Sequence, residues 1–159
     1  MSSHIETLFP GLAATGYQET SPATPEYNCI AWAAATEEDW WWPDAFGEYY
    51  WPSGVPRVET IEAFITAYSL LGYTPCETAD LEHEYEKIAL YIDPQGIPTH
   101  AARQLPSGKW TSKLGQMEDI EHNTLDGLNG SIYGKVGQIL KRSTQGNDPA
   151  SAIFAPDSI

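Results

Sequence analysis

The order of its hydrophobic periods constrains this chain more than any other feature. Segments with helical spacing come first, and the later apolar runs have strand character. Ile61, Phe64, Ile65, Tyr68 and Leu71 recur at helical spacing across residues 58–71, and Gly72 is placed to end that helix. Before it, residues 29–36 open with Cys-Ile-Ala-Trp-Ala-Ala-Ala, apolar nearly all round, which predicts a buried helix. After it, residues 73–76 read as a short strand. Residues 87–92 read as a strand ended by Asp93-Pro94-Gln95-Gly96. Residues 100–105 and 109–114 form a hairpin about Pro106-Ser107-Gly108. Residues 119–130 are ambiguous, with a helical turn as one reading. Residues 133–142 read as a last strand, with a helix as the alternative. Helices first and an antiparallel sheet after them is an α+β pattern.

A chain of 159 residues suits one domain, placed at residues 1–142, with residues 143–159 as a loosely packed C-terminal tail. Residues 2–26 read as irregular. The net charge of −14 argues against nonspecific binding to nucleic acid or to an anionic membrane surface. It allows a cationic protein partner. No basic segment precedes an apolar run at the N-terminus, and no stretch is long enough to span a bilayer. The expected location is therefore the cytoplasm, or delivery as an effector. The two cysteines, Cys29 and Cys76, do not make a disulfide scaffold. His4, His83, His100 and His122 form no short ligand motif, and no phosphate-binding glycine loop occurs, so no metal or cofactor is expected.

Cys29 stands where the Pro-rich lead-in (Ser21-Pro22-Ala23-Thr24-Pro25) gives way to the first helical run. A thiol at the first turn of a helix faces unpaired N–H groups and the positive end of the dipole, which favours the thiolate. His100 follows about 70 residues later at the start of a strand. That layout suits Cys-His nucleophilic catalysis. Cys29 would attack a carbonyl carbon. His100 would take the thiol proton and later give it to the leaving amine. The backbone N–H of Cys29 is a candidate oxyanion donor. Cys76, after Pro75, reads as a structural thiol.

Three motifs carry a family resemblance: Tyr27-Asn28-Cys29-Ile30-Ala31-Trp32-Ala33, then Thr99-His100-Ala101-Ala102-Arg103, then residues 108–115 (Gly-Lys-Trp-Thr-Ser-Lys-Leu-Gly). In order and spacing the chain resembles the papain-like superfamily of cysteine hydrolases. The nearest groups are NlpC-type peptidases and CHAP amidases. The resemblance implies a papain-like α+β fold with N-terminal helices packed on a small antiparallel sheet. It also implies amide hydrolysis through a thioester, on a peptide or other amide-containing substrate. A catalytically weak binding or immunity module and an acyl transferase are the alternatives.

The third polar residue departs from the resemblance. With the hairpin turning at residues 106–108, Ser112 is a diagonal neighbour of His100, within reach of an orienting hydrogen bond. Glu121 and His122 are its rivals. Tyr17, twelve residues before Cys29, matches a tyrosine that borders the site in NlpC-type domains. Asn28 offers a side-chain amide as a second candidate for the oxyanion. Trp40, Trp41, Trp42, Tyr49, Tyr50 and Trp51 crowd one loop. Most of them are expected to cap the core, and one or two to line a groove beside Cys29.

Overall fold

The computed structural model describes residues 3–144. Its centre is one antiparallel sheet of seven strands. In chain order these are β1 (Tyr17–Ser21), β2 (Thr74–Cys76), β3 (Tyr85–Ile92), β4 (Pro98–Gln104), β5 (Trp110–Lys113), β6 (Asp119–His122) and β7 (Lys135–Ser143). They lie side by side in the order β1-β6-β5-β4-β3-β7-β2. The helices are α1 (Ser3–Leu8), α2 (Pro10–Thr15), α3 (Cys29–Ala33) and α4 (Ile61–Ser69), with a 3₁₀ turn at Asp126–Leu128. The longest of them has 9 residues. The expected papain-like fold, helices packed on a small sheet, is therefore corrected. The sheet is the dominant element: its longest strands, β3 and β7, have 8 and 9 residues, and no described helix is longer than 9. The residues expected in the C-terminal tail beyond Thr144 lie outside the described residues.

Register divides the sheet into two faces, because residues directly opposite one another share a side. Ile88 faces Arg103 and Leu140, Leu90 faces Ala101, Arg103 faces Thr111, and Lys113 faces Asp119. This face carries α3, α4 and the aromatic loop in one core with Ile30, Trp41, Trp51, Phe64 and Tyr68. The other face presents Ala89, Tyr91, Ala102, Trp110 and Ile120. It is covered by Ile5, Phe9 and Leu12 of the N-terminal helical segment and by Leu128 of the 3₁₀ turn.

The expected elements have identifiable ends. Helix α4 starts at Ile61 because Thr60 caps it, its Oγ1 accepting from the Ala63 N–H at 3.2 Å. The chain leaves α4 through Gly72 at φ +96°. Helix α3 is shorter than predicted, since Ala35 already sits at φ +65°. Within residues 2–26, α1, α2 and β1 appear where irregular chain was expected. Helices of 6 residues are not stable alone. Burial of Ile5, Phe9 and Leu12 holds them.

Candidate functional site

Asn28 fixes the start of α3. Its Oδ1 accepts from the N–H of Ala31 at 3.1 Å and from that of Trp41 at 3.0 Å, and its Nδ2 donates to the Trp41 carbonyl at 2.6 Å. One buried amide thus caps the helix and pins the aromatic loop across it. This engages the group considered as an oxyanion donor. Asn28→Ala leaves both polar atoms of the Trp41 backbone without these partners. We expect a loss of about 1–3 kcal/mol in urea unfolding. An unchanged midpoint would show that water replaces the amide at no cost.

The backbone N–H groups of Ala101, Ile30 and Cys29 itself favour the charged form of the Cys29 sulfur. Ala101 is the residue after His100. On that side β4 and β5 pair only at Arg103–Thr111 and Gln104–Trp110. Towards the start of β4 that pairing is absent. Cys29 is 6% exposed. Burial pushes its thiol up to about 11, against the three N–H groups and the more distant Lys113 ammonium. The thiolate expected at a helix start is therefore not the resting state. Desolvation outweighs the pull of a single helical turn.

His100, Ser112 and His122 lie on the opposite face of the sheet from α3. All three are fully buried. The Ser112 Oγ stands 2.9 Å from His100 Nε2 and 2.8 Å from His122 Nε2, and His122 Nδ1 is 2.9 Å from the Thr124 carbonyl. Nδ1 of His100 has no hydrogen-bond partner. The ring of Tyr133 stacks on His100 at 4.0 Å and 13°. Gly134, next in the chain, lies close against the end of β3. It sits at φ +77°, and a Cβ there would lie 1.9 Å from the Ile92 carbonyl oxygen.

Both imidazoles are held neutral. Burial lowers His122 to about 4, against the hydrogen bond to the Thr124 carbonyl, and pushes His100 well down as well, helped by the repulsion that a protonated His122 would exert. An unfolded histidine takes up its proton near pH 6.5, while the folded ones resist, so stability is full above that pH and is lost as pH falls towards 4. His122 alone contributes a loss of about 3 kcal/mol between pH 7 and pH 4. Asp119, raised by burial, works in the opposite sense, gaining its proton more readily in the folded state. Urea midpoints at pH 7, 5.5 and 4 read the balance. A flat profile would contradict neutral buried histidines.

A groove of about 310 Å³ opens beside Cys29, lined among others by Trp40, Trp42, Tyr49, Thr99 and Tyr133. No charged side chain lines it. Trp41 and Trp51 are buried instead, with Trp51 against Phe64 at 5.1 Å. Tyr17 lies elsewhere, its hydroxyl donating to Glu6 at 2.9 Å. Glu121 stands opposite Thr111, on the face away from His100. Among the described residues, no group of three or more His, Cys, Asp or Glu is gathered as a metal site.

Residues 18–141, from β1 to β7 and including Cys29, His100, Ser112 and His122, match a family model described as a domain of unknown function, DUF7689. The chain belongs to the DUF7689 family. No curated protein and no solved structure gives a significant match. The geometry of this DUF7689 domain must therefore carry the functional argument by itself.

Sequence reasoning missed Lys113 in this domain. Its side chain is fully buried on the α3 face, and Nζ donates to the carbonyls of Thr24 at 2.8 Å, Gly115 at 2.6 Å and Met117 at 2.5 Å. Beside it, the Tyr27 hydroxyl donates to Asp119 Oδ2 at 2.6 Å. A lysine inside the predicted strand at residues 109–114 was the available signal. No helix of the described residues is long and apolar enough to cross a membrane.

Proposed function

We propose that this domain is a cysteine hydrolase that cleaves an amide or isopeptide bond through a thioester on Cys29, with His100 as base and acid. One observation carries the reading. The Nδ1 of a fully buried, neutral histidine is left without a partner, and that histidine follows Thr99 and stacks on Tyr133, two residues that line the groove holding Cys29. Buried polar atoms rarely go unpaired, and an unpaired lone pair on imidazole is what a general base needs.

The cycle balances. Cys29 gives its proton to His100 Nδ1 as the sulfur bonds to the substrate carbonyl carbon. The C–N bond then breaks, and the amine leaves with the proton from Nδ1. Water attacks the thioester, its proton goes to Nδ1, and the acid departs as the thiol is restored. In the resting structure Nε2 of His100 is engaged by Ser112 and Nδ1 is unpartnered, so thiol and imidazole are not yet hydrogen-bonded to one another. Catalytic contacts often tighten only when substrate is bound. The uncharged, aromatic lining favours a substrate that brings a neutral, flat or apolar acyl group to the sulfur.

A neutral p-nitrophenyl ester tests the reading, because acylation releases nitrophenolate and leaves a mass on the thiol. The expected adduct is on Cys29 and is lost in Cys29→Ala, whereas Cys76→Ser changes nothing. Continued release after one equivalent supports hydrolysis. A stall that an added amine relieves identifies a transferase. Equal modification of Cys29 and Cys76 would overturn the proposal and leave the groove as a binding surface.

A further inference from the structure

Two hydrogen bonds on Ser112 and one on His122 fix where every proton in the chain must sit. The Thr124 carbonyl can only accept, so the contact at 2.9 Å places the proton of neutral His122 on Nδ1. Nε2 of His122 is then an acceptor, and the hydroxyl hydrogen of Ser112 points to it across 2.8 Å. The Ser112 oxygen is left to accept, and the group facing it at 2.9 Å is Nε2 of His100. His100 therefore carries its proton on Nε2 and its lone pair on Nδ1, the nitrogen without a partner.

We infer that His122 is a positioning residue that selects the basic tautomer of His100 through the Ser112 hydroxyl, anchored on the Thr124 carbonyl. The inference rests on the proposed role of His100. It adds a residue that never touches substrate, and it gives Ser112 a directional task. Ser112 alone can donate or accept, so it cannot choose a tautomer. His122 makes the choice by claiming the hydroxyl hydrogen. No carboxylate is needed for this selection. The chain differs in that respect from triads in which an acid orients the imidazole and stabilises its charge.

The strongest consequence concerns loss of the acceptor. In His122→Phe the Ser112 hydroxyl has nothing to donate to except Nε2 of His100. The proton of His100 then moves to Nδ1, where it blocks the thiol. His122→Gln restores a carbonyl oxygen for the hydroxyl and brings the basic tautomer back.

Nitrogen NMR on the full chain, with labelled histidine and His100→Gln to assign the signal, reads the tautomer directly. The expected result is protonated Nε2 on His100 and protonated Nδ1 on His122 in the intact protein. His100 should switch to Nδ1 in His122→Phe and revert in His122→Gln. Ester acylation of Cys29 should follow the same order, falling by about 10²-fold or more in the Phe variant. A proton on Nδ1 of His100 in the intact protein overturns the inference, as does an unchanged tautomer in a folded His122→Phe. The intact protein alone decides if that variant does not fold. These readings need no acylation, so failure of the ester to modify Cys29 counts against the hydrolase proposal and not against the relay.

Discussion

Replacing His100 by alanine is expected to slow acylation of Cys29 by roughly 10²–10⁴-fold, the usual worth of a positioned general base. The size of the effect follows from the state of the thiol. With Cys29 pushed up to about 11, only about one molecule in 10⁴ carries the thiolate at pH 7. A site built on a preformed thiolate would lose less when its histidine is removed, because the nucleophile would persist. Here the proton must be taken during attack, and Nδ1 of His100 is the unpartnered base available for it. The pH profile separates the two cases. The intact protein should acylate at a nearly constant rate from pH 7 to 9, while His100→Ala should gain about tenfold for each pH unit, tracking the growing thiolate fraction. His100 is enclosed by Tyr91 at 5.3 Å and Tyr133 at 4.0 Å, so the alanine variant leaves a cavity. His100→Gln fills that space, can still meet Ser112 and supplies no basic nitrogen at the Nδ1 position. It should therefore lose the same rate while keeping its urea midpoint. Equal rates and equal slopes in all three proteins would break the pairing of Cys29 with His100.

The reading of the sequence located these two residues for reasons that the structure makes concrete. A Pro-rich lead-in giving way to an apolar run signals a helix start at Cys29, and α3 does begin there. The hairpin turn at residues 106–108 sets the diagonal of His100 and Ser112, and the two are hydrogen-bonded. His122 was only one of three candidates because β6 does not look like a strand. Asp119 and Glu121 point to the face of Lys113 and Thr111, where polar partners meet them, so the apolar/polar alternation that marks a strand is blurred. The same effect hid β1, whose three middle residues are exposed and which pairs with β6 along the sheet edge. With β1 and β6 unread, the sheet looked smaller than it is, and the papain-like expectation, drawn from the order and spacing of three motifs, had nothing to set against it. The helix-dipole argument for Cys29 failed for a different reason. Sequence places the thiol at the first turn but says nothing of how deeply α3 is buried between the aromatic loop and the sheet, and burial decides the protonation state.

Lys113→Met should be the most destabilising single change at the site, at about 3–5 kcal/mol, because three carbonyls lose a charged donor at once and each buried polar group left unpaired costs about 1–3 kcal/mol. Three backbone carbonyls, those of Thr24, Gly115 and Met117, take all three hydrogens of the ammonium. Methionine matches the volume and offers none. Asp119 then keeps the Tyr27 hydroxyl but loses the cation that favours its charge, and its Oδ1 is already without a partner. The loss would consume a large part of the 5–15 kcal/mol typical of a whole domain. Arginine is not expected to rescue it, since a planar fork cannot aim at three carbonyls gathered round one point. Adding Asp119→Asn to Lys113→Met should recover part of the loss, because the uncompensated carboxylate is removed while Tyr27 keeps an acceptor. Strict additivity of the two substitutions in urea unfolding would show that the ammonium serves the carbonyls alone. The position of the cage explains its weight. Thr24 belongs to the lead-in before Cys29, and Gly115 lines the groove, so one ammonium ties the approach to the nucleophile to the wall opposite it. A folded Lys113→Met variant should accordingly lose ester acylation along with stability, whereas a substitution that merely loosened the core would leave the modified residue, Cys29, unchanged in rate once corrected for the folded fraction.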